Sequence, residues 1–167
     1  YATLLYGMGE TLEERVDHFL QLRELQDETG HFLAMTPLSF HPEGTQLSHL
    51  PHPSGDDDLR NIAVARLMLD NFPHIKSFWI MNTSAITQFA LWYGADDVDG
   101  TVHEYEIVYQ DDAPGVRQQV LTRQALIQLI RDAGRVPVER DSLYQVVHRP
   151  DDAPEADARP KRVLRVV

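Results

Sequence analysis

The sequence predicts an α/β fold with parallel strands. Short apolar runs alternate with longer segments of helical periodicity, and those longer segments begin at capping residues and end at glycine or at Asn/Pro stops. Strands separated by helices pair in parallel through right-handed crossovers. About four such units suit either an open α/β sheet or half of a (β/α)8 barrel, and the pattern by itself leaves both open. In both, ligands sit at the C-terminal ends of the strands, which directs attention to residues 7–11, 41–45, 82–84 and 100–104.

Thr3-Leu4-Leu5-Tyr6 forms the first strand and stops at Gly7-Met8-Gly9. Thr11 caps a helix, Glu14 completes a capping box, and Leu12, Val16, Phe19 and Leu22 fall on one face. Gly30 ends this helix in a left-handed conformation. The second strand runs from Phe32 to Phe40, with a bend or irregular end expected at Pro37, which lacks a ladder donor. After a polar loop from His41 to Gly55, Asp56, Asp57 and Asp58 open a helix where negative charge suits the dipole, and Asn71 and Pro73 stop it. Ile75 to Met81 reads as the third strand, with Phe78 and Trp79 as core, and Ser84 to Tyr93 as a short helix closed by Gly94. Asp97 to Val102 is a weaker fourth strand, followed by a less regular stretch to Val120. Thr122 caps a last helix that turns Leu126, Leu129, Ile130 and Ala133 inward and ends at Gly134. The expected organisation is one domain over residues 1–149, then a Pro-, Ala- and Asp-rich tail over 150–167 whose end, Lys161 to Val167, suits a small strand.

The chain has 167 residues, room for one domain with a core. Its formal charge of −11 repels phosphate backbones, so nucleic acid is not an expected partner. The runs Asp56–Asp58 and Asp151–Asp152 read as solvated faces. No apolar run approaches a membrane span, and no signal peptide is visible. Cysteine is absent, which excludes disulfides, zinc–thiolate sites, a cysteine nucleophile and a cysteine-held iron–sulfur cluster within these residues, and fits the cytoplasm. The chain opens at Tyr1 on an apolar run without an initiator Met, as a fragment would.

Gly7-Met8-Gly9-Glu10-Thr11 could be a dinucleotide-binding turn, but Leu12 stands where a third small residue belongs and Glu10 would repel a pyrophosphate. A tight strand-to-helix turn is the simpler reading. His41-Pro42-Glu43 could serve acid–base or metal chemistry, with His49 and His52 in the same loop; lacking a recognisable third ligand, metal binding is not expected there. Asp96, Asp97 and Asp99 lack a Ca²⁺-loop spacing, and Asp96 and Asp97 point opposite ways if extended. Arg15, Arg66, Arg135 and Arg140 could hold an acidic substrate, although Arg15 and Arg66 read as surface ion pairs. Walker loops and nucleophile elbows are absent, which weakens kinase and hydrolase readings.

Longer motifs go further. Ala2-Thr3-Leu4-Leu5-Tyr6-Gly7-Met8-Gly9-Glu10-Thr11 with Glu13 to His18 resembles a strand–turn–helix of radical S-adenosylmethionine (AdoMet) barrels. Leu22 to Gly30 is similar to their menaquinone and deazaflavin branch. Leu67 to Lys76 ending in Trp79-Ile80-Met81, Gly94 to Thr101, and Ala133 to Asp141 resemble the aminofutalosine synthases in particular. The resemblance covers Ala2 to Tyr144.

That resemblance implies the C-terminal half of a (β/α)8 (TIM-type) barrel with outer helices. The N-terminal half would carry a CxxxCxxC loop for a [4Fe–4S] cluster, with AdoMet on the fourth iron. In this family the 5′-deoxyadenosyl radical adds to 3-[(1-carboxyvinyl)oxy]benzoate to give aminofutalosine, so the chain alone should hold no cluster and be inactive. Carried over by position, Leu5, Gly7 and Glu10 lie beside the adenosyl group, and Pro37, Leu38 and Phe40 line the adenine side. His41, Glu43, Asp97 and Thr101 are substrate candidates from their loop positions. Met8, Asn82-Thr83 and His103 to Tyr109 depart from the family pattern. Rival readings are cyclic dehypoxanthine futalosine synthase, a deazaflavin-forming subunit, a non-catalytic half barrel that dimerises through exposed sheet edges, and a metal hydrolase using His41, Glu43 and Asp97.

Overall fold

The computed structural model describes residues 1–101 and 121–149 and the backbone of residues 163–166. The irregular stretch expected after Thr101 and most of the tail lie outside the described residues. In order, the elements are β1 (Ala2–Tyr6), α1 (Leu12–Thr29), β2 (Ala34–Ser39), α2 (Gly55–Met68), β3 (His74–Ser77), α3 (Trp79–Asn82), α4 (Ser84–Tyr93), β4 (Asp97–Val98), α5 (Arg123–Asp132), β5 (Val136–Arg140), β6 (Val146–His148) and β7 (Val163–Val166).

The helix starts are set by local chemistry. Thr11 and Glu14 form a reciprocal capping box at α1, and Ser54 and Asp57 form another at α2. Gly30 closes α1 at φ 64°. Of the α1 residues expected to face inward, Phe19 is buried, Leu22 is half-buried, and Leu12 and Val16 stay exposed.

The strands form one sheet of order β1-β2-β3-β4-β7-β5-β6, parallel except for the β5–β6 hairpin. The first four follow chain order, so right-handed crossovers put their helices on one side of the sheet. The contacts agree: α1 meets α2, α2 meets α4 and α4 meets α5 in a row. A doubly wound sheet would divide its helices between two faces. This arrangement sets the described helices on one face, as in part of a barrel.

Met35, Ile62, Leu69, Ile75, Leu126 and Ile130 are fully buried in the sheet–helix core. Each such side chain contributes about 1.5–3 kcal/mol relative to exposure. Pro37 stays in register opposite Leu4, and the strand runs on through it to Ser39.

Three expectations are corrected. The third strand ends at Ser77, because Phe78 to Asn82 turns into a helical segment that buries Trp79 and Ile80. Asp58 is not part of a solvated face: it is buried and accepts the Tyr6 phenol proton at 2.5 Å. Strand β5 was not expected at all, nor the hairpin it makes with β6.

Candidate functional site

The turn after β1 is held by Glu10. Its Oε1 accepts from the Gly7 amide at 2.6 Å and from Arg15 Nε at 2.8 Å, and its Oε2 accepts from the Met8 amide at 2.7 Å. Burial pushes this carboxyl up, but the two amides and the guanidinium outweigh that and hold it below the usual carboxylate range. Arg15 also lies 5.3 Å over the Tyr6 ring, so the ion pair expected from sequence forms, with Glu10, but half-buried rather than at the surface. Arg66 is likewise drawn in, with Asp96 at 2.5 Å and the Gly94 carbonyl at 2.7 Å.

The two glycines of this turn differ. At Gly7 (φ 94°) a Cβ would stand 2.4 Å from Pro53 Cγ, so the close approach it permits is to the loop entering α2. Around Gly9 (φ 103°) there is open space. A cleft of about 220 Å³ lies between the two loops, lined by Gly7, Gly9, Glu10, Arg15, His52 and Pro53 among others.

Leu5 and Leu38 are in register on neighbouring strands and share one side of the sheet, whereas Pro37 shares the opposite side with Leu4. Phe40 continues past β2, its amide donating to the Tyr6 carbonyl at 2.8 Å. Beneath this rim, on the helix side, the Tyr6 phenol is flanked by Asp58 and by Asn82 Nδ2 at 3.5 Å. Burial and then the Asp58 carboxylate push the phenol far up, so it stays a donor.

Asp96 and Asp97 turn opposite ways, as alternation requires. Asp96 accepts from Arg66, from the Ile75 amide at 2.9 Å, and lies 2.9 Å from His74 Nδ1. Burial raises its carboxyl, and His74, Arg66 and the amide together bring it below the ordinary range. Asp97 is buried against Arg140, which donates from Nε at 3.1 Å and from Nη2 at 2.6 Å, and against the Tyr144 hydroxyl at 2.7 Å. Lys76 Nζ stands 3.0 Å from Asp99 and 3.9 Å from Asp97. Burial pushes the Asp97 carboxyl up; Arg140, Lys76 and Tyr144 oppose it. Asp97 thus anchors cations, and Lys76 is itself buried, its Nζ 4.6 Å from the Tyr1 ring centroid. Thr101 is exposed just past Gly100.

His41 and Glu43 are joined by a residue that spacing did not pair with them. His52 Nε2 lies 2.9 Å from His41 Nδ1, and one ligand atom from each of His41, Glu43 and His52 falls within 4.8 Å of the others. Asp97, the third member expected for a hydrolase, is committed to Arg140 instead.

Sequence reasoning named Arg140 but missed Lys76, Tyr144 and Tyr6 as network members. Each reads as ordinary strand or loop composition, and its partners lie far away in the chain.

A parallel sheet with helices on one side defines part of a (β/α) barrel. The family described as the CofH/MqnC C-terminal region matches residues 29–153, and the chain belongs to that family. Aminodeoxyfutalosine synthase of Thermus thermophilus is 52% identical over 150 residues, covering 87% of this chain and 40% of the relative. Aminodeoxyfutalosine synthase of Streptomyces coelicolor is 41% identical over 174 residues, covering 96% of this chain and 45% of the relative. Cyclic dehypoxanthine futalosine synthase of the same organism is 38% identical over 165 residues, covering 98% of this chain and 40% of the relative. The chain therefore spans less than half the length of the curated relatives it matches. Among the described residues, no helix is long and apolar enough to cross a membrane.

Proposed function

We propose that this chain is the C-terminal part of a radical AdoMet enzyme that joins the 5′-deoxyadenosyl group of AdoMet to 3-[(1-carboxyvinyl)oxy]benzoate, releasing methionine and losing one carboxyl group by decarboxylation, to form aminofutalosine for menaquinone synthesis. The observation that carries the reading is the 52% identity to an aminodeoxyfutalosine synthase across 87% of the chain. When bound, AdoMet on a [4Fe–4S] cluster supplies a 5′-deoxyadenosyl radical. This chain has no cysteine, so its residues do not fit the cluster, and the cluster's ligands belong to the part of the protein outside these 167 residues.

The residues present do fit a role beside AdoMet. Leu5 and Leu38 offer an apolar rim on one side of the sheet, with Phe40 beyond it. Glu10 fixes the turn through Gly7 and Met8, leaving the open backbone at Gly9 toward solvent. Pro37, on the other side of the strand, supports the rim from behind. Lys76 lies buried beside Asp97, its charge balanced by Asp99 and Asp97. His41, Glu43 and Thr101 remain proposed substrate neighbours at the upper ends of the strands.

Among the described residues β1 pairs with β2 alone, and its other edge suits a preceding strand as partner. Beside it lies a cleft of about 470 Å³ lined by Leu5, Met8, Glu14 and His18 among others, next to exposed Leu12 and Val16. A preceding half barrel would cover this edge, and the assembled enzyme is proposed to work in the cytoplasm.

The test follows the adenosyl group. The full-length protein, reconstituted anaerobically, is given AdoMet with 3-[(1-carboxyvinyl)oxy]benzoate or with dehypoxanthine futalosine. Incorporation of the adenosyl group into aminofutalosine by mass spectrometry supports the proposal. Release of 5′-deoxyadenosine only with dehypoxanthine futalosine would move the assignment to the cyclising enzyme.

A further inference from the structure

His41, Glu43 and His52 stand apart from the Lys76–Asp97–Arg140 network, and nothing in the proposed reaction uses them as a set. We propose that they form a binding site for a divalent first-row transition ion of the zinc type.

Sequence spacing argues against a metal here, because His41 and Glu43 lack a third ligand nearby. The fold supplies it. His52 is brought back by the loop that enters α2, and its Nε2 lies 2.9 Å from His41 Nδ1. All three donor groups fall within 4.8 Å of one another. In a tetrahedral zinc site with bonds near 2.0–2.1 Å, donors are separated by about 3.3 Å, so the set needs only small side-chain adjustments to close on an ion. Two imidazoles and one carboxylate suit Zn²⁺, Co²⁺ or Ni²⁺ and leave a fourth position for water.

A second observation concerns the tautomer of His52. Its Nδ1 is 3.2 Å from the Pro53 carbonyl, which can only accept. The proton therefore sits on Nδ1, and in the neutral ring Nε2 presents its lone pair to the cluster. A backbone carbonyl that fixes the distal ring N–H is the support metal-binding histidines ordinarily have. In the metal-free protein His41 Nδ1–H donates to that lone pair. On binding an ion, the His41 Nδ1 proton passes to solvent water and one is taken up at Nε2, so Nδ1 is freed to coordinate with no net proton released.

Such an ion would tie the loop after β2 to the entrance of α2, on the wall of the cleft that His52 shares with Gly7 and Glu10. The chain's charge of −11 favours cation entry. This inference rests on the side-chain geometry alone and does not require the proposed reaction.

The experiment measures zinc bound by the full-length protein and by the 167-residue chain, each beside H41N, H52N, E43Q and H49A, with Co²⁺ as a spectroscopic probe. In the full-length protein the difference between parent and variant cancels metal taken by cysteines. Circular dichroism separates loss of binding from loss of fold. The expected result is one equivalent of Zn²⁺, visible Co²⁺ absorption of a four-coordinate site, loss of both in H41N and H52N, and weakening by about tenfold or more in E43Q. H49A, in the same loop but outside the cluster, keeps full binding. Absence of binding in folded parent protein, or equal binding by H41N and H52N, would overturn the site.

Discussion

Arg140 closes a two-pronged contact on Asp97, at 3.1 Å and 2.6 Å, with neither side chain exposed to solvent. The pair ties β5 to β4 on either side of the slot that β7 fills. Removing one partner strands a buried charge, so D97L or R140M should each cost about 3–5 kcal/mol in urea denaturation. Replacing both with apolar residues removes the stranded charge. The D97L/R140M double variant is therefore expected to be more stable than the sum of the single losses, by a measurable coupling energy.

The Tyr6 phenol donates to the buried Asp58 carboxylate across the β1–α2 interface. Y6F keeps the ring and removes this donor. A loss of about 1–3 kcal/mol is expected, read by thermal or urea unfolding. An unchanged midpoint would mean that the contact contributes nothing net.

Glu10 gives a pH prediction. Its folded carboxyl titrates below its unfolded value, so its contribution is present above the unfolded value and is lost as pH falls through the folded one. E10Q should be less stable than the parent at neutral pH. The two curves should converge as the pH is lowered through the acid range. Parallel curves would show that the charge on Glu10 does not matter.

Gly7 and Gly9 both have positive φ, but only Gly7 has a neighbour in the way, Pro53 Cγ at 2.4 Å from its would-be Cβ. G9A should cost about 1 kcal/mol from backbone strain alone. G7A should cost more, and P53A should recover part of the excess. Equal losses for G7A and G9A would contradict the packing of Gly7 against Pro53.

What was legible in the sequence was local. The capping box at Thr11 and the left-handed Gly30 depend on residues within one helical turn, so spacing exposes them. The parallel order followed from strand–helix alternation. Strand β5 escaped because Pro137, Glu139 and Arg140 look unlike a strand until Arg140 is given Asp97 as a partner. The end of β3 was misread because Phe78-Trp79-Ile80 is apolar in either conformation, and tertiary burial chose the helical turn. Asp58 was read as part of a solvated face and His52 as a solvated loop residue because their partners, Tyr6 and His41, lie at a distance that only the fold closes.

The most direct measurement is the iron, sulfide and AdoMet binding of the full-length protein beside the 167-residue chain, after anaerobic reconstitution. One cluster of about four irons with its sulfide is expected in the full-length protein, with AdoMet bound, and no iron–sulfide cluster on the chain alone. A full-length protein that folds but holds neither iron nor AdoMet would contradict this expectation.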